Sequence, residues 1–265
     1  MDQVIAEVKK IPPVTRFFIL SSLGVTLPTI LKLFSAGYFV PELVFKKFQI
    51  WRLYTSMFLG GYGIPYIFDL VMLYRSALDI ESKSYLHRSA DLAWQTFWAC
   101  GVIMIATIPL YPVYSFFHPF LLCIVYLYAS LAPPGAMTSI LGLITVPVKV
   151  YPYILIGIET ISGGPYAGAL AIAGCAVGHL WWWTVWGGEL AGQGLLAQYS
   201  TAPKWLSEWY GEAPRRAGRD APAAGGQAAG LAQAGIHVTA PRVPLGAGGT
   251  PKTAQHAWGT GRRLG

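Results

Sequence analysis

The chain has 265 residues, of which 54% are hydrophobic and only 12% charged, with a net charge of +7. That balance excludes an ordinary water-soluble domain and points to a body that crosses a membrane several times. The excess cations sit at the ends of apolar runs and in the tail, not on one aromatic face, so they suit lipid headgroups and topology and exclude a nucleic-acid partner.

Composition divides the chain into three. Residues 1–190 read as a transmembrane domain. Residues 191–255, rich in Ala, Gly and Pro, read as a disordered cytosolic tail that cannot bury enough apolar surface to offset the entropy of ordering. Residues 256–265 read as a short docking peptide. Glu7, Lys9, Lys10 and Arg16 precede any long apolar run, so no cleaved signal peptide is expected.

Six apolar runs are candidate spans. The first covers about Phe17 to Phe34 and leads into a long loop, Ser35 to Ser56. That loop mixes Phe39, Leu43, Phe48, Ile50 and Trp51 with Glu42, Lys46, Lys47 and Arg52, which suits a segment lying in the membrane interface. The second run, Phe58 to Tyr74, contains Asp69. The third covers Leu92 to Pro112 and the fourth Phe116 to Leu131. The fifth, Val150 to Ser162, contains Glu159, and the sixth covers Tyr166 to Trp186. Lys9, Lys10, Arg16, Arg75, Lys83, Arg88 and Lys149 fall on one side of this arrangement. The positive-inside rule therefore places both termini in the cytosol.

Several motifs carry candidate chemistry. Trp51-Arg52 stands directly before the second run; a bare aromatic-cation pair at an interface is also what simple anchoring produces. Trp181-Trp182-Trp183 reads as an aromatic belt. Gly174 and Gly178 form a GxxxG in the sixth run, where missing side chains let another backbone approach, within this chain or from a second copy. Asp69, Glu159 and His179 are intramembrane ionisable groups, candidates for function or for polar helix–helix contacts. They leave open a transporter with Asp69 and Glu159 in its pathway. They also leave open an intramembrane serine protease pairing His179 with Ser130 or Ser139. Neither serine lies in a glycine-framed turn, so no catalytic residue is assigned. Cys100, Cys123 and Cys175 all lie in apolar runs without ligand spacing, so neither a metal nor another cofactor is expected. The chain closes on Trp258-Gly259-Thr260-Gly261-Arg262-Arg263-Leu264, two large apolar anchors joined by an extensible backbone.

Together these segments resemble the Derlin family, the rhomboid-like pseudoproteases of the endoplasmic reticulum membrane. The resemblance rests on Ile50 to Gly60 with its Trp-Arg pair, on Phe68-Asp69-Leu70 with Leu73-Tyr74-Arg75, on Arg88-Ser89-Ala90-Asp91, and on Gly174 to Gly178 with His179-Leu180. Asp69 and Glu159 depart from it, standing where uncharged amides or apolar residues are expected. The resemblance implies an all-α fold: a six-helix rhomboid-like transmembrane bundle with a disordered C-terminal tail. It implies a non-enzymatic part in degradation of misfolded proteins, which pass to the cytosol through a lateral groove with a membrane ubiquitin ligase complex as partner; the short second and fifth runs add local bilayer thinning as an expectation. Trp258, Gly259, Gly261 and Leu264 are similar to the family's box for the valosin-containing-protein type of AAA+ ATPase.

Overall fold

A computed structural model describes residues 6, 8, 10–33, 38–110, 115–140, 144–188 and 194–212. These lie in a first unit, Met1–Gly226; a second, Gln227–Gly265, is outside the described residues. In chain order the helices are α1 (Pro13–Ile30), α2 (Pro41–Lys47), α3 (Trp51–Phe58), α4 (Gly63–Asp79), α5 (Ser89–Ala106), α6 (Phe117–Leu131), α7 (Tyr151–Trp186) and α8 (Lys204–Trp209). A two-stranded antiparallel hairpin, β1 (Met137–Ile140) with β2 (Ile144–Pro147), pairs Thr138 with Val146. The all-α expectation therefore needs one correction. Thr, Val and Ile in the linker between α6 and α7 favour extended backbone, and Pro133-Pro134-Gly135 stops α6 before them.

α6 is the centre of the body. Phe117, Phe120, Leu121, Leu122, Cys123, Ile124, Val125 and Leu127 are all at most 1% exposed, so the helix is covered on every side. Neighbouring helices supply the cover. Phe18 of α1 and Phe58 of α3 meet Phe120 edge-on at 5.3 and 5.7 Å between ring centres. α7 closes the opposite face.

Two helices are long and apolar enough to cross a membrane alone, Pro13–Ile30 and Val148–Trp186. A third is gained if the pair Trp51–Phe58 and Gly63–Ser84, bent by 96°, counts as one span. Length and composition thus establish a membrane protein with two or three such crossings among the described residues, a coarser result than the six spans expected. The difference arises at three places. Helix α7 is broken at Gly164, whose φ of 78° is open to glycine and strained for other residues, with Pro165 directly after it. The chain folds back there: a Cβ on Gly168 would touch the side chain of Thr160, whereas eight residues of straight helix would set them about 12 Å apart. The fifth and sixth apolar runs are the two limbs of this one bent element. The others are α6, at 15 residues apolar but short, and α5, whose first half carries Asp91, Gln95 and Thr96 and which is not among the candidate spans.

α1 starts four residues earlier than its apolar run, and Glu81 explains why. This carboxylate, in the π-helical turn Ile80–Ser84 that extends α4, is 2% exposed. It accepts hydrogen bonds from the Val14 N–H at 3.0 Å, the Thr15 N–H at 2.7 Å and the Thr15 hydroxyl at 2.7 Å. Pro13 needs no partner for its nitrogen, so the first turn of α1 is satisfied by a charge the helix dipole also favours. Glu81→Gln puts an amide N–H against one of these donors. It is expected to lower stability by about 2–3 kcal/mol, read as an earlier melt in mild detergent.

Composition set the end of the folded body near residue 190, but the structure continues it to Glu212. Residues 194–212 are held by the start of α5: Asp91 accepts from the Ala202 N–H at 2.8 Å, Gln95 donates to the Ser200 carbonyl at 2.9 Å, and the Ala90 N–H donates to Glu212 at 3.0 Å. Gln95 also accepts from the Tyr85 hydroxyl and from the Trp181 indole, and the Trp186 indole donates to Tyr85 at 3.1 Å. Burial pushes the Tyr85 phenol up, so it keeps the proton that it donates. Trp181 is accordingly buried, and only Trp183 of the three-tryptophan run points outward to a large extent.

Candidate functional site

The Trp51-Arg52 pair opens α3, and the two side chains part company. Trp51 is half exposed; Arg52 turns inward and is 9% exposed. Its guanidinium donates to the Gln49 side chain at 2.6 Å and to the Tyr38 carbonyl at 2.8 Å. A planar fork with several donors suits that task, closing the segment 38–52 on itself. Beyond α3 the bend into α4 is fixed by Thr26, whose hydroxyl donates to the Phe58 carbonyl at 3.3 Å and accepts from the Gly60 N–H at 2.9 Å. Ser115 donates to the Leu59 carbonyl at 2.6 Å, and the Phe116 N–H donates to Ser56 at 2.9 Å.

Gly174 and Gly178 lie on the second limb of α7 against α6. A Cβ on Gly174 would strike the backbone of Pro119, and one on Gly178 would lie 2.8 Å from the Cys123 carbonyl. Pro119 and Cys123 are one turn apart, as are the two glycines, so the helices touch backbone to backbone along a matched pair of positions.

The ionisable groups separate into two places. His179 Nδ1 is 2.8 Å from the Tyr126 hydroxyl, and its ring lies beside Trp182. Ser139 is in β1, where its carbonyl accepts from Arg75 at 2.9 Å. Asp69 and Glu159, from α4 and the first limb of α7, instead converge on His118 in the first turn of α6. His118 Nε2 lies 3.4 Å from Asp69 Oδ2 and 3.6 Å from Glu159 Oε1. Each side chain offers one ligand atom, and all three atoms lie within 4.8 Å of one another. The sequence reading marked both acids and passed over His118. Nothing in one sequence signals that residues 69, 118 and 159 meet; an acid standing where an amide is expected, twice, was the available sign.

At the C-terminal end of α6 a recess of about 190 Å³ is lined by Met72, Arg75, Asp79, Tyr128, Ser139 and Tyr151, among others. Trp258, Gly259, Gly261 and Leu264 lie outside the described residues.

Comparison with known proteins places this geometry in a family. The model of the Der1-like family matches residues 11–199. A Derlin-1 of Arabidopsis thaliana is 31% identical over 214 residues, covering 75% of this chain and 74% of that protein. Derlin-1 of Bos taurus and that of Mus musculus are each 27% identical over 267 residues, covering 97% of this chain and 96% of theirs. The matched stretch runs from α1 through α7. The chain belongs to the Der1-like, or Derlin, family of membrane proteins.

Proposed function

We propose that this protein is a non-catalytic component of endoplasmic-reticulum-associated degradation, which eases misfolded proteins across the membrane to the cytosol. The observation that carries the reading is the family match over residues 11–199, joined to a body built around a short central helix that is buried over most of its length. At 1.5 Å per residue, the 15 residues of α6 are about 22 Å long, against about 30 Å of hydrocarbon. A recess of mixed polar and apolar lining lies at one end of α6 and the Asp69–His118–Glu159 cluster at the other. Lipid around such a body thins or admits water, at a cost of fractions of a kcal/mol per Å of mismatch. Thinning eases passage of polar chain, for which each central charge otherwise costs about 2.5–3.5 kcal/mol.

In this reading both termini are cytosolic and the six apolar runs are six crossings. The work of extraction comes from a valosin-containing-protein-type AAA+ ATPase gathered by Trp258 and Leu264, and substrates arrive through a membrane ubiquitin ligase complex. His179 Nδ1 meets the Tyr126 hydroxyl, which also interacts with Ser130, so the histidine reaches that serine only through the tyrosine.

Arg52→Ala tests the part played by the interfacial segment. It opens the clamp on Tyr38 and Gln49, and is expected to slow clearance of a misfolded reporter severalfold while the protein's own level in the membrane holds. Clearance at the normal rate would reduce the Trp-Arg pair to an anchor.

A further inference from the structure

We propose that Asp69, His118 and Glu159 form a binding site for one divalent transition-metal ion of the zinc class, which ties α4, α6 and the first limb of α7 together. The distances carry the argument. His118 Nε2 stands 3.4 Å from one carboxylate oxygen and 3.6 Å from the other. Both exceed the ordinary 2.7–3.2 Å of an N–H···O hydrogen bond. They match instead the separation of two ligand atoms on a tetrahedral ion. With metal–ligand bonds of about 2.0–2.2 Å, that separation is about 3.3–3.6 Å.

Proton counting points the same way. Nε2 holds at most one hydrogen, so it can donate to only one of the two carboxylates at a time. All three side chains are largely withdrawn from solvent, with exposures of 16% for Asp69, 18% for Glu159 and 36% for His118. Bound together, two carboxylates would offset the charge of a divalent cation, with the imidazole nitrogen as its third ligand. In a membrane body such a charge is costly unless paired.

The chemistry of the donors selects the ion. One imidazole nitrogen with two carboxylate oxygens is a mixed N/O set suited to zinc and its first-row neighbours, and ill suited to thiophilic ions. Three protein ligands on three separate elements leave the fourth position for water. The site lies at one end of the body. Asp69 is within two turns of the start of α4, His118 is in the first turn of α6, and Glu159 is within two turns of the break at Gly164. An ion there would pin the fold-back of α7 to the central helix. The cysteines, which set the expectation of no metal, have no part in it.

The test uses the full-length, tag-free protein in mild detergent, stripped of metal and titrated with Zn²⁺, then with Co²⁺ as a spectroscopic probe. We expect one equivalent bound and the strong visible bands of tetrahedral Co²⁺. Asp69→Asn, His118→Gln and Glu159→Gln are each expected to weaken binding by roughly tenfold or more. They should also abolish the rise in melting temperature that Zn²⁺ gives the parent protein. A parent protein that shows no tetrahedral Co²⁺ spectrum overturns the proposal, whether or not the variants fold. So does Zn²⁺ binding of equal strength in all three variants, which would place the ion on other histidines. The readout is independent of any part in degradation, so a failure here and a failure of the proposed function are separate results.

Discussion

Gly174→Leu is expected to cost the protein about 3 kcal/mol or more of stability, a large share of the 5–15 kcal/mol typical of a folded body. The new side chain begins where the Pro119 backbone already is, with Pro119 Cα 2.7 Å from the Cβ position. Backbone cannot rotate out of the way as a side-chain tip can. α6 is covered on all sides, so displacing it disturbs the packing of α1, α3 and α4 together. Cys123 and Cys175 are buried in this interface and serve as its reporters: a thiol-reactive dye should label them at a lower temperature in the variant. Gly101→Ala in α5 is the control. Nothing lies within 4 Å of its Cβ position, so relief of glycine's backbone entropy should leave the melt unchanged or raise stability by about 0.5–1 kcal/mol. Equal effects at the two positions would mean that helix propensity, and not the close contact, governs Gly174.

Removal of residues 256–265 is the second large effect. On the proposed role, the truncated chain inserts in the membrane and melts as before, since the described body closes its own contacts by Glu212. It should no longer bring the ATPase with it from a detergent extract. Trp258→Ala with Leu264→Ala should reproduce the loss, because large apolar anchors dominate the energy of short docking peptides. Full ATPase recovery with the truncated chain would take that role from the tail.

What the sequence disclosed depended on how local each signal was. Apolar runs located the helices, and Phe116 to Leu131 differs from α6 by one residue. The fifth and sixth runs were separated at residues 163–165, where α7 breaks at Gly164, and as two crossings they already implied that the chain turns back there. The start of α1 was displaced because its cap, Glu81, lies 67 residues from Val14. The close of the body at Glu212 was hidden by the Ala- and Gly-rich stretch on its C-terminal side. Ahead of that stretch, Pro203-Lys204-Trp205-Leu206-Ser207-Glu208-Trp209 is neither Ala- nor Gly-rich and holds α8. The GxxxG was legible as a close approach, while its partner, Pro119 with Cys123, required the fold. The same holds for His118, which acquires meaning only when two acids from distant helices reach it.

On the proposed function the body performs no chemistry and the force comes from outside the membrane. Vesicles containing the purified protein and a misfolded lumenal reporter, with the ATPase and ATP added outside, test it most directly. Intact reporter is expected outside the vesicles only when the ATPase, ATP and residues 256–265 are all present. Reporter cut into fragments without the ATPase, in a manner lost on replacing Ser130 or Ser139, would contradict it.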